Sequence, residues 1–410
     1  MSIKKDKIVR VIECFRKKTM TLSHISRQVY GIFLHGSTQC ASRYTNQYPK
    51  RVFHFNHSNK KLPIIRMETK PVTVPLEELE QGLSFSTLES AFGDDSLGII
   101  VVSGLPASFH NLRRKVLHSV SALASLPAEE IAKLEVPEAM WLIGWSRGKE
   151  RLSESGEPDY NKGSYYVNCA FHKDAKLEGP PAEMARRFPN LQTYTHANVW
   201  PAKHLPGLES FEADCKQLCN LIIDVAAQVA RNCDTYISAK NSSYEPNFLQ
   251  KMVQNSTCTK ARLLHYYPID NKTVALQDLW CGEHTDHSCL TGLTSALYID
   301  ETNLSENDTQ GANKVQATQE NSGLYIRDRK GESVKVSIPE DCLAFQSGAA
   351  LEEISGSFRA VPHYVRGSTA PHVARNTLAV FCQPDLDEKV NKSENFAQFS
   401  ERILKQNHEK

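Results

Sequence analysis

The chain has 410 residues, of which 40% are hydrophobic and 23% charged, as in an ordinary globular protein. No apolar run reaches the ~20 residues that a membrane-spanning helix needs. The formal net charge of +1 hides an asymmetry, because residues 1–66 hold 14 Lys and Arg against two acids, a net charge of +12. Residues 67–410 therefore carry 34 basic and 45 acidic residues, a net charge of −11. An acidic body argues against nucleic acid as its partner.

The eleven cysteines are scattered along the chain, and no two of them form a Cys-x-x-Cys pair. Paired cysteines at that spacing are typical of zinc ribbons, so this class of site is excluded. The odd, scattered set also does not suggest a disulfide framework. A reducing compartment is therefore expected.

The first 66 residues differ from the rest of the chain. They are basic, poor in acids, and carry apolar residues at helix-like intervals between Ile8 and Phe33. This composition predicts an organelle transit peptide, which would direct the protein to mitochondria or plastids. Two alternatives stay open: a disordered basic tail, or a true start at Met67. In either of those cases the protein is expected in the cytoplasm.

Residues 67–256 are predicted to be mostly helical. Phe211–Tyr236 has the strongest helical pattern, with Leu218, Ile222, Val225 and Val229 forming one apolar stripe that is typical of a core-facing helix. The Gly-rich, polar stretch Gly144–Ser164 is predicted to be a loop. The other predicted elements are a short strand from Val72, a helix at Leu88–Phe92, a strand at Gly98–Val102, and a helix at Ser108–Leu126 that Pro127 ends.

From about residue 257 the pattern changes to short strands separated by turn residues, which predicts an antiparallel jelly roll or barrel. The polar segment 300–322 is predicted to be a mobile loop, and Glu394–Leu404 a helix. The predicted strands are Arg262–Tyr267, Leu290–Ile299, Leu324–Arg327, Ser333–Val336, Leu343–Gln346, His363–Val365 and Thr377–Phe381.

One ordered set of residues carries chemistry. His284 and Asp286 form a His-x-Asp triplet, and alternation along a strand would point both side chains to one face. His363 follows downstream, and two histidines with one carboxylate form the facial triad that holds Fe(II) and leaves open coordination positions. Arg375, shortly after, can bind a carboxylate with both arms of its guanidinium. The set predicts an iron enzyme with an acidic co-substrate.

Two further stretches strengthen this interpretation, Gly98-Ile-Ile-Val-Val-Ser-Gly-Leu-Pro and Leu264-His-Tyr-Tyr-Pro. With the triad and the arginine, they make residues 72–385 resemble the plant- and fungal-type 2-oxoglutarate/Fe(II) dioxygenases, the family that includes isopenicillin N synthase. The resemblance implies an α+β fold with a double-stranded β-helix (jelly-roll) core, a helical N-terminal leader domain and flanking helices. The implied organisation is a targeting segment or tail at 1–66, a leader domain at 67–200, connecting helices at 201–256, the jelly roll at 257–385 and a C-terminal helix at 386–410.

The same resemblance implies roles for individual residues. His284, Asp286 and His363 would bind the iron. Arg375, Thr377 and Tyr267 would bind 2-oxoglutarate, with ascorbate as an accessory reductant. Two departures from the family pattern are His265, where the family has Asn, and the 12 positions between His363 and Arg375, a longer interval than usual.

The implied activity is oxidation of a small organic substrate by O2, through hydroxylation, desaturation or ring closure, with release of succinate and CO2. Two alternatives stay open: an oxidase of the same fold that does not use 2-oxoglutarate, and a catalytically silent binding protein. A monomer is expected. The sequence does not identify the substrate; Trp145, Tyr165, Tyr166 and Phe381 are candidates to line its pocket, and each fits a core position equally well.

Overall fold

Two β-sheets that face each other form the centre of the protein. A computed structural model describes residues 70–151, 157–268, 279–302, 322–367, 370 and 372–408. The strands are β1 (Val72–Pro75), β2 (Ile99–Ser103), β3 (Gly144–Arg147), β4 (Lys162–Asn168), β5 (Lys260–Tyr266), β6 (Leu279–His284), β7 (Leu290–Thr294), β8 (Leu297–Asp300), β9 (Gly323–Arg327), β10 (Ser333–Val336), β11 (Leu343–Ser347), β12 (His363–Arg366) and β13 (Val373–Cys382).

Within the described part of the chain, the larger sheet has the order β1-β2-β11-β7-β13-β5-β4-β3, with β8 also paired to β13. The smaller sheet has the order β10-β9-β12-β6. The β1–β2 pair is parallel, and the pairs that build the site, β13–β5, β13–β7, β11–β7 and β12–β6, are antiparallel. Strands that are far apart in sequence therefore meet in space, as the predicted jelly roll requires.

Helices cover the outer face of the larger sheet. They are α1 (Leu76–Gln81), α2 (Phe85–Phe92), α3 (Ser108–Ala124), α4 (Ala128–Ala132), α5 (Ala182–Arg187), α6 (Gln192–Thr195), α7 (Phe211–Lys240), α8 (Phe248–Asn255), α9 (Ala349–Ser355) and α10 (Phe396–His408), with single 3-10 turns at Pro137–Ala139 and Ala170–His172. The apolar stripe of α7 is buried with α3 and with the outward-facing side chains of β5, β7 and β13 in one large core. Burial of this stripe stabilises the packing of α7 against the sheet.

The space between the two sheets is less completely filled. One apolar cluster, with Ile99, Val101, Ile326 and Ala344, closes one end of it. Another, made of Leu264, Tyr266, Trp280 and Val365, lies further along. A cavity between these sheets carries the candidate site described below.

The predicted α+β architecture is confirmed, and most predicted elements occur within a few residues of their expected bounds. The region Gly144–Ser164, predicted to be a loop, instead contributes β3 and the start of β4 to the larger sheet. All seven residues of β4 are buried. Its polar side chains obscured the strand pattern, and they are buried because they have partners: Lys162, for example, lies 2.8 Å from a Glu150 carboxylate oxygen.

The predicted strand Leu290–Ile299 is divided into β7 and β8. The break falls at Ser295 and Ala296, whose carbonyl oxygens accept hydrogen bonds from the buried guanidinium of Arg113 at 2.9 and 3.0 Å. Strands from the predicted leader domain, residues 67–200, pair into the same sheet as strands from the predicted jelly roll, residues 257–385. The domain boundaries stay a prediction.

Two other predictions concern residues that the structure does not describe. The transit segment 1–66 lies outside the described residues, and so does most of the polar segment 300–322. Among the helices of the described part, none is both long and apolar enough to cross a membrane.

Candidate active site

Strand pairing brings the three predicted metal ligands together. His284, the last residue of β6, lies directly opposite His363, the first residue of β12. Asp286 follows two residues after β6, in the turn that leads to β7. The Oδ1 atom of Asp286 lies 3.9 Å from Nε2 of His284 and 3.8 Å from Nε2 of His363. One ligand atom from each residue fits within 4.8 Å of the other two, which is close enough for all three to bind one ion.

The atoms that do not face this point are held by other hydrogen bonds. Thr291 Oγ1 and Gln346 Nε2 donate to Oδ2 of Asp286 at 2.6 and 2.7 Å. The Nδ1 atoms of His284 and His363 lie 2.9 and 3.0 Å from the carbonyl oxygens two residues before them, at Gly282 and Val361. With Nδ1 donating a proton, Nε2 keeps the free lone pair that a metal needs.

Burial and neighbouring charges set the protonation of the three ligands. Burial acts to raise the pKa of Asp286, but the neighbouring histidines and the bonds from Thr291 and Gln346 outweigh it, so that its pKa is lowered. Burial also lowers the pKa of His363, which favours the neutral ring. Burial also acts to lower the pKa of His284, but Cys281 and Asp286 outweigh it and raise this pKa to about 9. A carboxylate and neutral imidazoles are the forms that bind divalent iron, so metal binding would displace the proton of His284.

The turn that carries Asp286 lies close to the backbone at the start of α9. The N–H of Ala349, at the start of α9, donates to the carbonyl oxygen of Asp286 at 2.8 Å. A Cβ atom on the preceding residue, Gly348, would lie 2.2 Å from the carbonyl oxygen of Ser288. Only glycine allows α9 to lie this close to the turn.

Arg375 and Thr377 lie on the same face of β13 and line the cavity that contains the metal ligands. Arg375 is 6% exposed, and its Nε and Nη1 atoms have no hydrogen-bond partner among the described residues. Its guanidinium lies over the ring of Tyr266, 5.1 Å from the ring centre. A buried cation without a carboxylate partner is costly, so this position is suited to an anionic ligand.

Tyr267 is not brought together with Arg375 and Thr377. The side chains of β5 alternate, and Arg262, Leu264 and Tyr266 line the cavity. Tyr267 comes after the last strand residue, donates its hydroxyl to the carbonyl of Ala124 at 3.4 Å and lies under the guanidinium of Arg147. The structure therefore places Tyr266, and not Tyr267, beside Arg375. The role of Tyr267 in binding 2-oxoglutarate stays a prediction.

His265, which replaces the family's Asn, also points away from the cavity. It is 1% exposed, and its Nδ1 lies 2.8 Å from Oδ1 of Asn376. This departure from the family pattern therefore belongs to the helix-covered face of the sheet and not to the site.

The cavity has a volume of about 300 Å³. Of the four aromatic candidates, Phe381 lines it, whereas Trp145, Tyr165 and Tyr166 are buried elsewhere. Its apolar walls are formed by Leu264, Leu293, Val365, Ala379 and Phe381.

Sequence reasoning missed five residues of the site: Arg262, Tyr266, Cys281, Thr291 and Gln346. A signal was present for Gln346, a polar residue at the end of the apolar run Leu343-Ala-Phe. A signal was also present for Arg262, which lies four residues before Tyr266 in β5. Side chains alternate along a strand, so the two share one face.

Comparison with known proteins supports the fold. Neither a protein-family model nor a curated protein sequence matches this chain. Solved structures do match: a Caulobacter crescentus protein assigned to the 2OG-Fe(II) oxygenase family has a TM-score of 0.59 and 19% identity, covering 82% of this chain and 99% of its own. A full-length Neurospora crassa protein in complex with alpha-KG and thymine has a TM-score of 0.57 and 17% identity, covering 82% and 97%. JOX2, in complex with 2OG, Fe and JA, has a TM-score of 0.54 and 15% identity, covering 82% and 85%.

The chain therefore has the fold of the 2OG-Fe(II) oxygenases, and the resemblance inferred from the sequence is confirmed at the level of fold. At these identities the matches carry no information on the substrate.

Proposed function

We propose that the protein is an Fe(II)- and 2-oxoglutarate-dependent oxygenase that oxidises a small organic substrate. The observation that carries this proposal is the coexistence, in one cavity, of a His-Asp-His cluster and a buried arginine whose Nε and Nη1 have no partner among the described residues. The first suits a divalent metal and the second suits a carboxylate. Both are needed to bind a keto acid to a metal.

The residues fit iron(II). Two imidazole nitrogens and one carboxylate oxygen are the donors of the facial triad. They come from one side only, from the ends of β6 and β12 and the turn after β6. The other side faces the cavity and leaves room for further ligands.

The residues also fit 2-oxoglutarate. Arg375 would bind the distal carboxylate through the guanidinium atoms that otherwise lack a partner. Thr377, on the same face of β13, supplies a hydroxyl, and Tyr266 covers the guanidinium. Solved structures of the same fold contain alpha-KG or 2OG with Fe, which agrees with this assignment.

When bound, iron(II) and 2-oxoglutarate would supply the oxidising power, since decarboxylation of the keto acid to succinate and CO2 accompanies the consumption of O2. The protein's own contribution is position and environment. Thr291 and Gln346 hold Asp286 so that Oδ1 faces the two histidines. Apolar walls at Leu293, Ala379 and Phe381 would limit water around the reacting C–H bond.

The proposal is tested by measuring the iron bound per chain and the succinate formed per O2 consumed. The purified protein, loaded anaerobically with Fe(II), should bind one iron per chain, and addition of 2-oxoglutarate and air should yield succinate in proportion to the O2 consumed. An untargeted metabolite comparison with active protein and with Asp286→Ala would then reveal the substrate. Oxygen uptake without succinate would favour the oxidase alternative, and no metal binding would favour the silent binding protein.

A further inference from the structure

Arg262 is a second guanidinium on the wall of the cavity. It lies on the same face of β5 as Tyr266, opposite Ala379, whereas Arg375 lies opposite Tyr266. The two arginines therefore enter the cavity four residues apart along the β5–β13 pair. The proposed binding of 2-oxoglutarate uses Arg375 and leaves Arg262 without a role.

The surroundings of Arg262 differ from those of Arg375. Its Nε donates to Ser164 Oγ at 3.0 Å, and its Nη2 donates to Ser164 Oγ at 2.8 Å and to Glu150 Oε1 at 2.5 Å. Its remaining amino group, Nη1, donates to no group among the described residues. Arg262 is thus already held by a carboxylate and still has one set of N–H donors to offer.

The charges around Arg262 are balanced. Lys162 lies 2.8 Å from the other oxygen of Glu150 and 3.3 Å from Asp159, so two cations face two carboxylates. Although burial acts to raise the pKa of Glu150, Arg262 and Lys162 lower it to about 2, and the carboxylate stays ionised. A further anion at Arg262 would leave this cluster with excess negative charge.

The rest of the cavity is balanced too, if the proposed cofactors are bound. A divalent metal and Arg375 offset Asp286 and a dianionic keto acid, and Lys335 and Glu340 contribute one charge of each sign. The remaining lining combines apolar side chains with polar ones such as Thr294, Tyr298 and Ser337. A neutral substrate therefore fits this environment better than a charged one.

We propose that Arg262 anchors the substrate through Nη1, and that the substrate is an uncharged small molecule with a carbonyl-type hydrogen-bond acceptor. Glu150 and Ser164 are positioning residues that fix the guanidinium. This proposal rests on the proposed function, because it assigns Arg375 and the metal to 2-oxoglutarate.

The test compares matched probes on protein loaded with zinc(II), a diamagnetic substitute for iron, and 2-oxoglutarate. The probes are phenylacetamide, phenylacetate and ethylbenzene, which share a ring and differ in the acceptor, and binding is measured by ligand-observed NMR. Wild-type protein should bind phenylacetamide roughly tenfold more tightly than the other two. Arg262→Gln should abolish the preference, and Arg262→Lys, which keeps the charge but loses the fork, should reduce it.

Arg187→Lys is the matched control, since Arg187 forms an ion pair with Asp387 on the surface. It should keep the preference. Thermal unfolding checks that each variant folds, and Arg262→Lys, which still supplies a cation to Glu150, decides the test if Arg262→Gln does not fold. A preference for phenylacetate, no preference, no binding of any probe, or a preference that survives in Arg262→Lys unchanged would overturn the proposal.

Calorimetric titration of 2-oxoglutarate separates this proposal from the one it rests on. Unchanged 2-oxoglutarate affinity in the Arg262 variants, together with loss of the probe preference, is the expected result. If 2-oxoglutarate binds normally but the probes show no preference, the substrate anchor is wrong and the proposed function stands. If wild-type protein does not bind 2-oxoglutarate, the proposed function fails and this inference fails with it.

Discussion

The two ends of the cavity are built differently. At the metal end, Oδ2 of Asp286 accepts hydrogen bonds from Thr291 and Gln346, and Nδ1 of His363 donates one to the backbone carbonyl of Val361. At the other end, Arg375 is equally buried, but two of its nitrogens have no partner among the described residues. The metal end is preorganised by the protein, whereas the arginine end is completed only by a ligand. Substitutions at the two ends should therefore have different effects on the ligand-free protein.

Loss of a metal ligand should have the largest effect. Asp286→Ala removes the carboxylate that both histidines face, and we expect iron affinity to fall at least about a hundredfold and activity to become undetectable. The helical core is remote from this change, so thermal unfolding should remain cooperative. Metal content after anaerobic loading is the measurement. Iron binding that is unchanged in Asp286→Ala would rule out the triad.

Arg375→Gln should separate ligand binding from stability. Loss of a charged partner to a buried carboxylate costs about 2–5 kcal/mol, so 2-oxoglutarate affinity should fall roughly 30-fold to several thousand-fold. The ligand-free variant should be as stable as wild type or more stable, because a buried charge without a partner has been removed. Calorimetry measures the affinity for 2-oxoglutarate, and thermal unfolding measures the stability of the ligand-free variant. A large loss of stability without loss of affinity would mean that Arg375 supports the fold and not the ligand.

Thr291→Val should have a smaller effect at the metal end. It removes the 2.6 Å hydrogen bond to Asp286 while keeping the shape of the side chain. Partners of metal ligands typically contribute about 10- to 100-fold to metal affinity. Thr291→Ser, which keeps the hydroxyl, is the control and should bind iron normally. Equal iron affinity in the two variants would show that Gln346 alone positions the carboxylate.

Glu301 is a second buried ionisable residue, and burial changes its protonation. It lies near the helix-covered face of the larger sheet, with one oxygen that lacks a partner among the described residues and lies 3.7 Å from Nε2 of His265. Burial raises the pKa of Glu301 from 4.5 to about 7, and burial lowers the pKa of His265 to about 4, so the histidine offers no charge. The folded protein therefore binds a proton here that the unfolded chain releases.

The free energy of unfolding should accordingly fall as pH rises from about 4.5 to about 7, since the unfolded state binds fewer protons over that range. Glu301→Gln should remove this slope and be more stable at pH 8 by on the order of 2–3 kcal/mol. Denaturant titrations at several pH values measure it, with the exposed Glu183→Gln as control. A stability difference that does not depend on pH would show that Glu301 is ionised throughout.

The sequence was most informative where one pattern dominated. The helical period of α7 and the β-branched run of β2 predicted these elements, because apolar residues dominate both patterns. The three residues that the structure clusters as possible metal ligands were predicted from their order and strand context. The sequence could not show which of the adjacent residues Tyr266 and Tyr267 lies beside Arg375, because strand register decides which of them faces the cavity. β4 was missed because its polar residues Lys162 and Asn168 are buried through partners that the strand pattern does not reveal.

The smallest effect is expected from removing residues 1–66. This segment carries a net charge of +12 against −11 for the rest, and every residue assigned to the site, with its partners, lies between Glu150 and Phe381. A chain that starts at Met67 should therefore bind iron and 2-oxoglutarate as the full chain does, within about twofold. A reporter fused to residues 1–66 should enter mitochondria or plastids if the segment is a transit peptide, because basic, acid-poor amphipathic segments are import signals. A reporter that stays in the cytosol would favour the two alternatives, a disordered basic tail or a true start at Met67. Loss of folding on truncation would mean instead that the boundary near residue 67 is misplaced.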